Sequence, residues 1–440
     1  MNKQVLRLAI PNIISNLSVP LLGAVDTAVV GHLDHVYYLG AIAVGSIIFD
    51  FIFWGFGFLR MGTTGLVAQA FGADNERETR IILIRVLAVA GIASVLILLL
   101  QYPLIELSLL IVNASPEVEE YTRLYYNIRI FSAPATLVLF GINGWFLGMQ
   151  NSTYPMLVTI LLNLFNVGLN LLFVLYYGMT VDGVALGSLI ASYLGVVFAL
   201  ILYKKKYSGI KLKVDVQEVL NPVELKKFFS VNRDIFIRTL CLIFSYAFFV
   251  AKSAESGDIV LAANTILLQL WYISAYGIDG FAFAAESLVG KFKGAKNVEK
   301  LKESLKLNMG WGLGLGVASS LVYPFFGDNI ITLFTDKTDV LEAGLVVLIW
   351  TIFAPVINSI CFIWDGVYIG ATATSAMRNS MLIATILFFV PVYYFAEPYV
   401  GVHALWLSMA TFMIIRGITL SFWARNQIFK PLLTQATKYS

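Results

Sequence analysis

Asp26 lies in a long apolar stretch whose flanks offer no cationic neighbour. A carboxylate in such a setting is expensive, so it marks a functional site by default. Asn163, Asn166 and Asn170 recur at spacings of three and four, which places three amides on one helical face. Ser188 adds a hydroxyl from the next apolar stretch. Together these groups form an oxygen-rich set suited to a proton or a small hard cation such as Na⁺. The same stripe also reads as interhelical glue, since Asn side chains bridge packed membrane helices. A second set lies in the other half of the chain. Asp279 and Glu286 are seven residues apart on one helical face, extended by Tyr276 and Tyr272, with Asp365 and Arg238 in neighbouring apolar stretches. Acids beside aromatic rings suit a lipophilic cation, through charge attraction and cation–π contact. Arg238 has an alternative role as the static ion-pair partner of one of these acids.

The elements that hold these residues are set by composition. The chain is 59% hydrophobic and 13% charged over 440 residues, with a mean hydropathy of +0.81. Soluble domains carry about 25% charged residues, so the lipid bilayer is the implied solvent. Nucleic acid is excluded as a partner: the basic residues are scattered among short loops with no stacking platform. Cys241 and Cys361 both sit in apolar runs and read as buried thiols. The N-terminal stretch carries Pro11, Asn12, Asn16, Pro20 and Asp26 and outruns a signal-peptide core, so it reads as the first span. Further apolar segments of spanning length follow near 39–60, 81–104, 121–148, 155–178, 184–203, 230–251, 260–289, 307–326, 340–370, 379–396 and 402–424. His32, Asp34 and His35 fall between the first two and read as a solvated turn. Lys3, Arg7, Arg77, Arg80, Arg85, the basic runs 204–233 and 291–306, Arg378, Arg425, Lys430 and Lys438 collect on one side, against Arg123, Lys252 and Lys337 on the other. The positive-inside bias predicts both termini in the cytoplasm of a plasma (inner) membrane protein.

Shifting the sequence by 222 residues lays 38–75 on 260–297, with Leu39, Ala41, Gly55, Leu66, Val67, Gly72, Ala73 and Asn75 repeated as Leu261, Ala263, Gly277, Leu288, Val289, Gly294, Ala295 and Asn297. The same shift lays Gly144 and Gly148 on Gly366 and Gly370. The predicted fold is an all-α integral membrane protein of about 12 transmembrane helices in two six-helix bundles, related by a pseudo-twofold along the membrane normal. An N-terminal lobe over 1–210, a cytoplasmic linker over 211–228 and a C-terminal lobe over 229–440 are expected, the whole acting as a monomer. No phosphate-binding loop is present, and no nucleophile–base or metal constellation suggests an enzyme. Two halves with different polar contents fit alternating access by a secondary transporter. A flippase for a lipid-linked precursor is the alternative, and an integral-membrane enzyme a more distant one.

The segments LLGAVDTAVVGHL, RMGTTGLVAQAFGADN and NLFNVGLN resemble the multidrug and toxic compound extrusion (MATE) family. NRDIFIRTL, AYGIDGFAFAAE, WDGVYIGATATSAMRNSM and HALW resemble its DinF-like branch. The resemblance implies a V-shaped pair of six-helix lobes that export organic cations or amphipathic compounds in exchange for H⁺ or Na⁺, without another cofactor. It puts the family's N-lobe carboxylate on Asp26 and an Asn-x-x-x-Asp pair on Asn166 and Asn170. The second position is Asn here, one negative charge fewer, which favours H⁺ over Na⁺ as the coupling ion.

Overall fold

Apolar runs this long fold as helices because hydrocarbon offers no hydrogen-bond partner to an open backbone. The computed structural model describes residues 1–31, 33, 35–112, 114–209 and 216–437; among these the side chains of 21, 22, 24, 26–28, 328 and 435–437 are not described. His32 and Asp34 lie outside the described residues. In chain order the helices are α1 (Asn2–Val30), α2 (Val36–Gly55), α3 (Phe58–Gly72), α4 (Glu76–Leu99), α5 (Gln101–Val112), α6 (Pro116–Arg129), α7 (Ala133–Gly148), α8 (Thr153–Leu171) and α9 (Val181–Tyr207). They continue as α10 (Val216–Val219), α11 (Pro222–Glu255), α12 (Asp258–Gly294), α13 (Val298–Thr332), α14 (Thr338–Gly370), α15 (Thr374–Leu382), α16 (Val390–Val400), α17 (His403–Ala424) and α18 (Lys430–Thr437). No strand occurs among the described residues.

Eleven helical segments among the described residues are long and apolar enough to cross a membrane. They match the second to the twelfth expected spans in order; the first expected span falls on the 29-residue α1, which is not among the eleven. The differences are local and have physical causes. The second span is interrupted at Phe56 and Gly57, where α2 ends and α3 begins, and it runs on to Gly72. The fourth is two helices joined by a single 3₁₀ turn, Ile130–Ser132, just before Pro134, whose ring prevents a continuous helix. The short helix α5 lies largely between the third and fourth expected spans.

Contacts divide the chain into two compact units. One comprises Ile14–Thr63 and Asn75–Lys226; the other comprises Lys227–Ser440 with Met1–Ile13 and Thr64–Asp74. In the first, α4 packs on α7, α2 on α6, and α8 on α9. Its linker end is pinned: Arg85 donates to the carbonyls of Glu218 (2.7 Å) and Val219 (2.9 Å), which caps the C-terminus of α10. In the second unit α12 packs on α14, and α14 on α13 and α17. Its core gathers Phe249, Leu267, Trp271, Phe389, Trp406 and Phe412. Trp406 donates to Asn264 (2.8 Å), which donates to Ser253 (2.9 Å), so the indole enters the core with its N–H satisfied.

The 222-residue repeat is visible in the backbone. Among the described residues four non-glycines have positive φ, and they form two repeat-related pairs: Asp74 (52°) with Lys296 (53°), and Gln150 (60°) with Thr372 (49°). Asn75 caps α4 through the Glu78 amide (3.0 Å), and its counterpart Asn297 caps α13 through the Lys300 amide (2.9 Å). Gly144 lies against the Arg60 backbone in one unit, and Gly366 against that of Ala282 in the other. Within the second unit, Gly72 meets the Lys291 backbone and Gly294 meets that of Gln69. These crossings need glycine because a Cβ would strike a neighbouring main chain, which cannot move aside. Gly294→Val is therefore expected to lower stability by about 1–3 kcal/mol, the usual range for overpacking. Gly310, with open space around it, is the control: Gly310→Ala should leave the melting temperature of the detergent-purified protein near that of the parent.

Candidate functional site

The amide face predicted from spacing is formed by α8, and it links α1 to α9. Asn163 donates to Ser18 on α1, at 3.0 Å to the hydroxyl and 3.3 Å to the carbonyl. Asn166 donates to the Ser188 hydroxyl on α9 (2.8 Å), and Asn170 donates to the Asn166 side-chain oxygen (3.0 Å). Asn166 and Asn170 are buried, at 3% and 0% exposure. Gly187 makes the space for this chain, since a Cβ there would displace the Asn170 amide. Just past Asn170 the helix widens into a π-helical turn, Leu172–Tyr176, a distortion frequent at functional positions. Asp26 lies on α1, and its side chain is outside the described residues. Its backbone is eight residues beyond Ser18, about 12 Å along the helix. Asn170 is seven residues beyond Asn163, on a helix that crosses in the same direction. The first-unit set is thus a chain of hydrogen-bonded neutral groups leading along α8 toward the level of Asp26.

The second unit has the opposite chemistry. Asp365 on α14 accepts from Arg238 on α11 and from Arg416 on α17 (2.5 Å), both at the same carboxylate oxygen. All three are nearly buried, at 5%, 8% and 1% exposure. The second oxygen of Asp365 and Nε of Arg238 are buried without a hydrogen bond among the described residues. Arg416 also donates to the Met413 sulfur (3.1 Å) and lies over the Phe412 ring. Glycines set the register: Gly366 on Ala282 and Gly370 on Glu286 pack α14 against α12. This puts Asp279 close to the level of Asp365, and Glu286 about two turns away. Tyr276 stacks near Tyr272 (centroids 6.5 Å apart), and Tyr272 meets Tyr246 on α11 (5.5 Å). Tyr246 and Cys361 both lie within electrostatic reach of Arg238, Arg416 and Asp279.

Of the second-unit residues singled out from sequence, Asp365, Arg238, Asp279 and Tyr276 belong to one neighbourhood, while Glu286 is buried in the helix crossing. Arg416 was missed, because the last span was read only as an apolar run. Asp234, 2% exposed, was also missed: it accepts from Arg378 (2.6 Å) and Thr374 (3.3 Å). The signal available for both was an ionisable residue within an apolar segment. The pairing of Asp365 with two guanidinium groups gives it a holding role, whatever it also contributes to a cavity.

A repeated array of membrane-spanning helices with intramembrane polar clusters of opposite character in its two units defines a multi-pass membrane transporter. The sequence pattern of the MatE family matches residues 11–172 and again 235–395, once in each half. The chain belongs to the MatE family, whose members are multidrug and toxin extrusion transporters and not enzymes. It is 37% identical over 429 residues to DNA damage-inducible protein F of Escherichia coli, covering 97% of this chain and 92% of that protein. It is 24% identical to the chloroplastic protein DETOXIFICATION 44 of Arabidopsis thaliana, covering 94% and 80%. The fold is similar to that of a multidrug resistance MATE family transporter solved in its outward-facing conformation, with a TM-score of 0.88 at 20% identity and 98% and 97% coverage.

Removing the shared carboxylate would leave two buried guanidinium groups uncompensated. Asp365→Asn is expected to destabilise the protein by about 3–5 kcal/mol and to lower its melting temperature in detergent. Adding Arg416→Met to that variant should recover part of the loss. An unchanged melting temperature for Asp365→Asn would show that the arginines are balanced elsewhere.

Proposed function

We propose that this chain is a proton-coupled exporter of lipophilic organic cations and other amphipathic compounds. It works as a monomer in the plasma (inner) membrane with both termini cytoplasmic. The observation that carries the choice of ion is the neutral hydrogen-bonded chain of Asn170, Asn166 and Ser188. Na⁺ needs several oxygens turned toward it, with carboxylate charge to offset its dehydration. Here the Asn166 and Ser188 oxygens already accept from neighbouring amides, and the position that would add a second carboxylate is Asn170. Asp26 is then the group that takes up and releases the coupling proton, as intramembrane carboxylates do in pumps and transporters. The second unit, with Asp279 beside Tyr246, Tyr272 and Tyr276, supplies acidic and aromatic surface for a cation.

The test uses liposomes containing the purified protein, a fluorescent organic cation, and an imposed pH or Na⁺ gradient. A pH gradient should drive transport and a Na⁺ gradient should not. Asp26→Asn should abolish pH-driven transport while leaving the melting temperature near that of the parent; full transport by this variant would refute proton loading at Asp26. A companion variant, Asn170→Asp, restores a carboxylate and should make transport at fixed pH depend on Na⁺. If Na⁺ has no effect on that variant, Asn170 serves helix packing alone.

A further inference from the structure

Helix α2 has two faces. Ala41, Ile42, Gly45, Ile48 and Phe49 are buried, on a helix packed against α6. Ile47, Asp50, Phe51 and Trp54 recur at i, i+3, i+4 and i+7 and form one exposed stripe; the three apolar members are 50%, 50% and 46% exposed. Asp50 lies fourteen residues into the helix, about 21 Å along it, well within hydrocarbon depth. It has no hydrogen-bond or ion-pair partner among the described residues. That sets it apart from the acids held by arginine, Asp234 and Asp365. Arg129 on α6 is within electrostatic reach of Asp50 but is held elsewhere. It donates to the Tyr125 hydroxyl and lies over the Phe49 ring (4.9 Å) and the Tyr125 ring (5.3 Å). Two aromatic faces and a phenol thus keep the nearest guanidinium off the carboxylate.

An intramembrane acid costs too much to face lipid and almost always looks into a bundle interior or an aqueous space. We propose that Asp50, with Phe51 and Trp54, forms a cation-binding subsite on the exposed face of α2, for a lipophilic organic cation. The carboxylate supplies charge, and the indole one turn further on supplies a face on which a cation is attracted by the ring quadrupole. Arg129, parked on its rings, is the competitor that the bound cation must outmatch. This subsite rests on the cation-export reading above, and it assigns part of the recognition to the first unit, away from the Asp365 cluster.

The experiment measures binding of tetraphenylphosphonium, and of uncharged triphenylphosphine oxide as its control, to the purified full-length protein by calorimetry. Asp50→Asn should weaken tetraphenylphosphonium binding on the order of tenfold or more, as expected for loss of a charge partner. It should leave the control ligand and the melting temperature unchanged. Asp50→Glu should keep most of the affinity, and Arg129→Gln should raise it. If Asp50→Asn binds tetraphenylphosphonium like the parent, the subsite is wrong while cation export stands. If it loses stability and binds both ligands less well, Asp50 is a structural partner of Arg129 and the proposal fails. If the parent protein does not bind the cation, the cation-export reading fails and the subsite with it.

Discussion

Within hydrocarbon no water can take up a hydrogen bond that the chain leaves unmade, so each spanning segment must satisfy its own backbone and find a partner for each polar side chain. The helices follow this residue by residue. Ser94, Thr239, Ser245, Ser253 and Ser408 each turn the hydroxyl back to the carbonyl four residues earlier. Asn12, Asn232 and Asn308 do the same with their amides. Against that background, polar groups that reach across to another helix stand out, among them the amides of α8, the Asp365 cluster and the Trp406–Asn264–Ser253 line.

The two units use this constraint differently. In the first, amides and a hydroxyl share hydrogen bonds without formal charge. In the second, charges are paired directly, and two arginines share one carboxylate oxygen. That cluster ties together three helices, α11, α14 and α17. Both units depart locally from regular helical geometry: the first at the π-helical turn after Asn170, the second at Ile383–Phe389 and Arg425–Phe429.

Much of this was legible before any coordinates. Span positions follow from runs of apolar residues, whose length is set by the bilayer, and the repeat follows from matched residues that include Gly72, Gly294, Gly144 and Gly366, each of which lies against a neighbouring backbone. The spacing of Asn163, Asn166 and Asn170 was enough to place them on one face. What the sequence withheld was pairing. Asp365 had two plausible roles because Arg238 is distant in sequence, and Arg416 went unnoticed in a run that reads as plain membrane anchor. Asp50 escaped for the same reason: hydropathy averages a single charge away. The break between α2 and α3 also left no clear signal, since Gly55 and Gly57 are equally at home in a continuous span.

Beside the crossings at Gly72 and Gly294 in the second unit, Ala68 also meets Gly290. These two positions are themselves related by the 222-residue offset, and a Cβ placed on Gly290 would lie 2.6 Å from the Ala68 Cβ. Each residue therefore packs on its own duplicate, the arrangement that a twofold axis imposes on an isologous dimer. Two identical subunits with alanine at that point would collide, so an assembly of separate copies would have to keep glycine on both sides. Joining the copies in one polypeptide lifts that requirement. The present chain makes use of the freedom, with a methyl group on one side of the axis and none on the other.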